Sequence, residues 1–501
     1  MDLLNNLTLG FSVALAGSNI LYCLVGVILG TLIGVLPGIG PVATIAMLLP
    51  ATFVLPPVSA LIMLAGIYYG AQYGGSTTAI LVNLPGEVSS VVTCLDGYQM
   101  ARQGHAGKAL AIAALGSFFA GSVATFLIAA FAPPLAELAL KFGPADYFSL
   151  MVLGLIAAVV LAHGSLIKAI GMIVLGLLIG LIGTDVNSGV ARYSFGMAEL
   201  IDGVGIGPIA MGVFGFGEII RNLDGGGEHR EIFTKKVTGL MPTWKDIKAS
   251  FPAVCRGTAL GSFLGILPGG GPVLGSFSAY TLEKKLSKTP EMFGKGAIEG
   301  VAAPESANNA AAQTSFIPLL TLGIPSNPVM ALMIGAMIIH GIQPGPQIMT
   351  AKPDLFWGMI ASMWVGNFLL VVLNLPMIGV WVKLLTVPYR LLYPAILIFC
   401  CIGVYSISNA WMDVLLAAAF GFVGYLFGKL ECEAAPLLLG FVLGPMMEEN
   451  LRRALLLSRG DPVVFFTRPI SATLLVLSFV LVVIVMAPSV RRKREEAFVE
   501  E

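Results

Sequence analysis

Long apolar stretches that no charged residue interrupts dominate the chain. No Asp, Glu, Lys, Arg or His occurs from Leu3 to Gly86. Further stretches without charge cover residues 109–136, 257–282, 306–339, 355–382, 391–412 and 469–490. Because one helix needs about 20 apolar residues to cross a membrane, the pattern predicts about ten to twelve hydrophobic helices.

These stretches are continuously apolar and do not alternate with polar residues as the strands of a membrane barrel would. Backbone groups in lipid must be hydrogen-bonded within the protein, which leaves helices or closed barrels. The sequence therefore predicts an all-α, polytopic membrane protein. The first apolar segment has no basic residue before it, so we expect it to be part of the mature protein and not a signal peptide.

The amino-acid composition also fits a membrane protein, and it limits the functions that the chain can have. Hydrophobic residues make up 57% and charged residues 11% of the 501 positions, and the 28 basic residues balance the 28 acidic ones. That balance gives no indication of a nucleic-acid partner. The six cysteines contain no CxxC pair, and the four histidines have no metal-ligand spacing. We therefore expect no enzyme activity, no catalytic residues, no cofactor and no bound metal centre.

One sequence motif occurs twice. The segment Gly30–Val42, which contains Leu-Pro-Gly-Ile-Gly-Pro, recurs in the second half of the chain as Gly261–Val273, with Leu-Pro-Gly-Gly-Gly-Pro. The offset is close to half the chain, and internal duplication underlies many secondary transporters. The repeat predicts two homologous halves, residues 1–220 and 257–490. A cytoplasmic linker of residues 221–256 would join them, and a cytoplasmic basic tail of residues 491–501 would follow.

Charge predicts how the second motif enters the membrane. Basic residues flank the stretch 257–282 on both sides, which indicates two cytoplasmic ends. Two full crossings would need about 40 residues, so we predict a re-entrant hairpin with Pro268–Pro272 at its tip. The first motif has no basic flanks, which fits a hairpin that opens to the opposite side, as in an inverted-topology repeat. Basic residues also place an arginine cluster at 452–468 in the cytoplasm.

The two Pro-Gly motifs are the strongest candidates for binding chemistry. Proline ends a helix and glycine accepts any backbone angle, so each motif should start a new helix with exposed N–H groups. Such an N-terminus binds anions without a cationic side chain. The alternative is a pair of structural kinks. The predicted anion ligands here are Gly38, Gly40, Gly269, Gly270 and Gly271.

Polar side chains within the apolar stretches complete the candidate site. In the second half these are Ser306, Asn308, Asn309, Ser326 and Asn327, and in the first half Ser76, Thr77 and Asn83. Glu305 and Asn309 are the candidate ligands of a cation such as Na⁺. The alternatives are that Ser306 or Asn309 caps a helix, and that Ser76 and Thr77 only bond to helical carbonyls. We interpret Asp96 as a structural cap or a coupling contact.

A combination of motifs resembles the TctA-type large membrane subunit (permease) of the tripartite tricarboxylate transporter family. The combination comprises the two Pro-Gly motifs, Lys295–Asn309 with its Pro-Glu-Ser-Ala-Asn-Asn run, Leu322–Pro325, Ile342–Pro346, Gly440–Gly444 and Leu95–Tyr98. The resemblance covers nearly the whole chain. One departure is Ser326-Asn327, where a small turn containing glycine is expected.

The resemblance implies a secondary transporter of the bacterial inner membrane that takes up citrate or a related carboxylate. It also implies two protein partners, a periplasmic solute-binding protein and a small membrane subunit, and coupling to a cation gradient, commonly Na⁺. Two other functions stay open at this point. One is a membrane-embedded enzyme, and the other is a carboxylate receptor that does not transport.

Overall fold

The computed structural model describes residues 3–36, 40–162, 165–185, 188–224, 237, 239–269, 271–385 and 389–486. These residues are almost entirely helical, with one antiparallel pair of two-residue strands, β1 (Gly183–Thr184) and β2 (Ala191–Arg192). The helices up to residue 224 are α1 (Leu3–Ala14), α2 (Gly17–Val35), α3 (Gly40–Leu48), α4 (Pro57–Val82), α5 (Val91–Thr93), α6 (Gln99–Arg102), α7 (Ala106–Ala139), α8 (Pro144–Leu161), α9 (Leu166–Gly180), α10 (Ile206–Ala210) and α11 (Gly217–Asp224).

The later helices start within the segment that we predicted to be a linker. They are α12 (Trp244–Ile266), α13 (Gly271–Leu286), α14 (Glu299–Thr314), α15 (Phe316–Leu322), α16 (Pro328–Ile339), α17 (Ile348–Ala351), α18 (Pro353–Asn374), α19 (Ile378–Leu384), α20 (Tyr389–Ser408), α21 (Trp411–Lys429), α22 (Ala435–Leu457), α23 (Val464–Thr467) and α24 (Pro469–Met486). Residues 244–256 thus form the first half of α12. The predicted tail, residues 491–501, lies outside the described residues.

Length and composition agree with a membrane protein. Four helices, α2, α7, α18 and α21, are long and apolar enough to cross a bilayer, and five shorter helices are also apolar. The predicted all-α class is therefore confirmed, with four candidate membrane spans among the described residues where about ten to twelve hydrophobic helices were predicted. Shorter turns of 3₁₀ helix (Pro50–Thr52, Val88–Ser90, Ala198–Leu200, Pro290–Met292) and π-helix (Cys94–Tyr98, Met211–Phe216) connect or interrupt the helices.

Two helix pairs pack backbone against backbone along rows of glycine. On α2 the row faces α4, and on α12 the row faces α14. A Cβ atom added to any of these glycines would lie 2.2–2.4 Å from a carbonyl oxygen of the facing helix. Small residues allow this approach between membrane helices. The facing pairs are Gly26 with Met63, Gly30 with Ile67 and Gly34 with Ala71, and Gly257 with Ala303, Gly261 with Ala307 and Gly265 with Ala311.

The facing helices α4 and α14 lie in the centre of the protein. Every residue from Ser59 to Val82 and from Gly300 to Thr314 is buried. A helix buried on all sides has no lipid-facing or water-facing stripe. Its polar side chains must therefore be satisfied by other parts of the protein, and the candidate site forms there.

Asp96 joins the segment after α5 to the loop before α14. Its Oδ1 accepts the backbone N–H groups of Gly294, Gly296 and Ala297 at 2.8–2.9 Å, and its Oδ2 accepts the hydroxyl of Tyr280 at 2.9 Å. The side chain is completely buried. This geometry confirms the interpretation of Asp96 as a structural contact.

An ion pair lies near each end of α7. Its 34 residues span about 51 Å, more than the roughly 30 Å core of a bilayer. Near its start Lys108 bonds to Asp246 of α12 at 3.0 Å, and just beyond its end Asp146 pairs with Arg468 at 3.0 Å. A hydrogen bond from Thr243, followed by the one from Lys108, lowers the pKa of Asp246 to about 2.

The start of α7 is thus paired with the segment predicted to be a linker, and the region just beyond its end with the arginine cluster at 452–468. The cytoplasmic side of both stays a prediction, and the arginine cluster also pairs with acidic residues. Arg452 pairs with Asp185 at 2.8 Å, and Arg453 pairs with Glu449 at 2.5 Å. Counting basic residues along the sequence does not include these acidic partners.

Candidate functional site

A cluster of buried polar side chains lies where α4 meets α14. Spacings of three and four residues place its members on common faces of the two helices. All of them are less than 9% exposed. They are Tyr68, Gln72, Tyr73, Ser76 and Thr77 on α4, and Glu305, Ser306, Asn308, Asn309 and Gln313 on α14.

Glu305 lies at the centre of this cluster and is completely buried. Its carboxylate accepts hydrogen bonds from the hydroxyls of Ser76 and Thr93. Its backbone oxygen accepts from Asn309 Nδ2 at 3.1 Å and from Ser117 Oγ at 3.4 Å. No basic side chain among the described residues pairs with it. A buried carboxylate without a cationic partner is costly and indicates a functional position.

Glu87 is a second acidic group beside the cluster. Its Oε1 accepts from Ser89 Oγ at 2.5 Å and from Asn308 Nδ2 at 3.2 Å. Ser89 Oγ also lies 3.1 Å from Gln72 Oε1. Glu87 thus connects the loop after α4 to α14.

The second Pro-Gly turn lies beside Ser326 and Asn327. The N–H of Gly269 donates to the Ser326 carbonyl at 2.7 Å, and a Cβ on Gly271 would lie 3.4 Å from that of Asn327. Asn327 Oδ1 caps α16 by accepting the N–H of Met330 at 3.1 Å, while its Nδ2 lies 3.0 Å from Ser315 Oγ and 3.3 Å from Tyr68 Oη. The start of α13 therefore faces the polar cluster.

The first Pro-Gly turn lies beside the end of α4. The hydroxyl of Thr78 donates to the Val35 carbonyl at 2.8 Å, and Gly86 packs directly on the carbonyl of Gly34. Gly40, the first residue of α3, has a positive φ of 65°, and a Cβ there would meet no described atom within 4 Å. Among the described residues, none therefore blocks the start of α3, where an anion would meet the N–H groups of the helix.

Several buried polar atoms of the cluster have no hydrogen-bond partner within the described part of the chain. They are Tyr73 Oη, Ser306 Oγ, Asn308 Oδ1, Asn309 Oδ1 and both amide atoms of Gln313. Few buried polar groups in native proteins lack partners, so such a concentration calls for an explanation. A polar binding site is consistent with such a concentration.

The structure brings together most of the side chains selected from the sequence. Ser76, Thr77, Glu305, Ser306, Asn308 and Asn309 belong to the cluster, and Ser326, Asn327, Gly269 and Gly271 border it. Asn83 is apart from it, exposed, and ends α4 in a left-handed conformation. Gly38 and Gly270 lie outside the described residues.

Two alternative interpretations can now be decided. Ser306 and Asn309 are not helix caps, because α14 starts at Glu299 and both lie in its interior. Ser76 does bond to the Gln72 carbonyl at 3.1 Å, as the structural alternative predicted, but it also contacts Glu305. The helical bond and the contact within the site therefore coexist in one residue.

Sequence reasoning missed Glu87, Thr93, Ser117 and Tyr68. Glu87 had a visible signal, since it is the first charged residue after the charge-free stretch that starts at Leu3. The others are ordinary residue types for membrane helices. Only the packing of α4, α7 and the turn before α6 onto α14 brings them to the site.

Comparisons with known proteins agree with the sequence motifs. The model of the tripartite tricarboxylate transporter TctA family matches residues 20–439. An Agrobacterium vitis protein described as "Uncharacterized 52.8 kDa protein in TAR-I ttuC' 3'region" is 62% identical over the full length of both chains. A second, "Uncharacterized protein in TAR-II ttuC' 3'region", also from Agrobacterium vitis, is 64% identical over its whole length and 48% of this chain.

No solved structure matches the chain. The family match extends over both Pro-Gly motifs and the whole polar cluster. The chain belongs to the tripartite tricarboxylate transporter TctA family.

Proposed function

We propose that the chain is the permease subunit of a secondary transporter that imports a tricarboxylate or a related, citrate-like carboxylate. It would receive its substrate from a periplasmic solute-binding protein, work with a small membrane subunit in the bacterial inner membrane, and couple uptake to a cation gradient. The observation that carries this proposal is the buried, incompletely satisfied polar cluster, bordered by the Pro-Gly turn before α13, in a member of a transporter family.

The two turns supply suitable groups for a carboxylate. The N-termini of α3 and α13 present unpaired N–H groups and a partial positive charge. Side-chain amides of Asn308 and Asn327 lie near these turns, and amides can donate to carboxylate oxygens. Irregular backbone at membrane depth is tolerated only where it is buried or lines a cavity. In the proposed complex the carboxylate groups occupy the space between the turns.

The internal repeat forms part of the proposal, and equivalent contacts support it. Each glycine of the α2 row precedes its counterpart in the α12 row by the same number of residues, as Gly30 precedes Gly261. The residues that the glycines face, such as Ile67 and Ala307, are also separated by a constant number of residues, and this second offset is slightly longer. This second offset also relates the left-handed helix ends Asn83 and Gly323, and the cap residues Glu87 and Asn327. One ancestral helix pair with its turn explains both sets.

The cap residues also make equivalent contacts across the two halves. Asn327 contacts Tyr68 of α4, and Glu87 contacts Asn308 of α14. The second offset relates Tyr68 to Asn308, just as it relates Glu87 to Asn327. Each half therefore reaches the central helix of the other. In an alternating-access cycle these two contacts would open in turn, one on each side of the substrate.

A side chain added at Gly40 tests the proposed anion site. In Gly40→Asn the asparagine tolerates the positive φ, and its Cβ meets no described atom within 4 Å at the start of α3. We expect uptake to fall about fivefold, since the loss of helix N-terminal contacts costs about 1 kcal/mol. Gly341→Asn is the control, because Gly341 has a similar φ of 68° and equally free surroundings away from the site. Equal losses in both variants would count against an anion site at α3.

An uptake screen tests the function itself. The chain is reconstituted in liposomes with the binding protein and the small subunit, and labelled citrate, malate, succinate and glutarate are supplied with and without Na⁺ and proton gradients. We expect at least one carboxylate to accumulate above its external concentration. Binding without accumulation under any gradient would instead favour a receptor.

A further inference from the structure

A small cavity lies beside Glu305 at the junction of α4, α7 and α18. Five of its lining residues carry side-chain oxygen atoms, and it has room for about one water molecule. These residues are Tyr73, Ser76, Thr77, Ser117 and Asn374. Leu110, Ala113 and Ala114 close its remaining wall.

The oxygens around this cavity are incompletely bonded. Tyr73 Oη and Asn374 Oδ1 are buried and have no hydrogen-bond partner in the described segments. Ser117 Oγ accepts from Asn309 Nδ2 at 2.7 Å and keeps a second lone pair free. Asn309 Oδ1 is also without a partner there. A cation, which accepts electron pairs from several oxygens at once, would satisfy this arrangement.

The charge near the cavity selects the kind of cation. Ser76, which lines the cavity, bonds to the Glu305 carboxylate, so one negative charge lies immediately behind the neutral oxygens. Divalent ions usually bind to several carboxylates, and no three His, Cys, Asp or Glu side chains converge anywhere in the described chain. Hard oxygen ligands, one nearby charge and the volume of one water molecule fit a small monovalent cation.

We infer that Tyr73, Ser76, Thr77, Ser117 and Asn374 form a Na⁺ site, with Glu305 as the charge that compensates the ion. This inference rests on the proposed function and specifies the coupling ion and its ligands. The cation site expected from the sequence comprised Glu305 and Asn309 of α14; this site keeps Glu305 and takes its ligands from three other helices, α4, α7 and α18. Binding of Na⁺ there would fix α7 and α18 against α4, next to the residues that contact the substrate.

Thermal unfolding of the purified full-length chain in detergent tests the site without transport. The midpoint is measured in NaCl, KCl and choline chloride at equal ionic strength. We expect Na⁺ alone to raise the midpoint in a saturable way, because a ligand that binds only the folded state stabilises it. In Ser117→Ala and Asn374→Ala the Na⁺ concentration for half of the effect should rise about tenfold or more. Thr125→Ala is the matched control, since Thr125 is buried on α7 and bonds only to the Gly121 carbonyl.

Equal midpoints in Na⁺ and K⁺ would overturn the site and would mean that the cavity holds only water. An unchanged Na⁺ requirement in both alanine variants would also overturn it. If either variant does not fold, the other one and the comparison of salts on the unaltered chain still decide the question. Carboxylate accumulation driven by a proton gradient, without any effect of Na⁺, would reject this site and leave the proposed function intact.

Discussion

Valine at Gly261 is expected to abolish the folded protein. The Cβ of any other residue at this position would lie 2.2 Å from the Ala307 carbonyl oxygen and 2.6 Å from its Cα. Both atoms belong to the backbone of α14, so no side-chain rotation relieves the overlap. The whole of α12 would have to move away from α14, and the loss of stability should exceed about 4 kcal/mol. Gly30→Val should act in the same way, through Ile67 of α4.

Size-exclusion chromatography of the detergent-solubilised protein measures this effect as the yield of monodisperse material. Gly171→Val is the matched control, because Gly171 lies within α9, and a Cβ there meets nothing within 4 Å. We expect its yield to equal that of the unaltered chain. A normal yield for Gly261→Val would show that α12 and α14 do not approach as closely as described.

Removal of the Asp96 side chain has the second largest expected effect. Asp96→Ala leaves three backbone N–H groups and the Tyr280 hydroxyl without their acceptor, next to a side chain that is completely buried. Each unsatisfied donor costs about 1–3 kcal/mol, so the total is on the order of 5 kcal/mol. That is comparable to the whole stability of a typical domain, about 5–15 kcal/mol.

The measurement is the thermal unfolding midpoint of the purified variant. Asp96→Asn should show an intermediate loss, because its remaining carbonyl oxygen still accepts some of the N–H groups. Asp354→Ala, at an exposed position in the first turn of α18, should unfold like the unaltered chain. The account of Asp96 fails if Asp96→Ala and Asp354→Ala unfold at the same temperature.

The sequence predicted the class of fold because the signal is one of composition and length. The charge-free stretches and the similarity of the two Pro-Gly motifs are visible without any structure. The segment 257–282 was expected to turn at Pro268–Pro272, and α12 ends at Ile266 while α13 starts at Gly271. The ion pairs of the arginine cluster were not predictable, since Arg452 and Arg468 pair with acids in the first half of the chain, Asp185 and Asp146.

Only part of the candidate site was predictable from the sequence. The run Glu305–Asn309 is conspicuous because polar residues are rare in such apolar surroundings. Its secondary structure was less visible: Ser306 or Asn309 was a candidate helix cap, yet both lie inside α14. Thr93 and Ser117 reach Glu305 only through the packing of separate segments. No spacing along the chain predicts such contacts.

The most direct test of a carboxylate between the two turns is the apparent KM for uptake in a pair of variants at Asn327. Aspartate and serine both cap a helix as well as asparagine does, so α16 should start normally in either. Asn327→Asp adds a negative charge beside the start of α13, and we predict a rise of at least about tenfold in KM. Asn327→Ser should change KM by less than about threefold, because it adds no charge and its hydroxyl can replace the amide as a donor to the carboxylate. Equal KM values for the two variants would contradict an anion at this position.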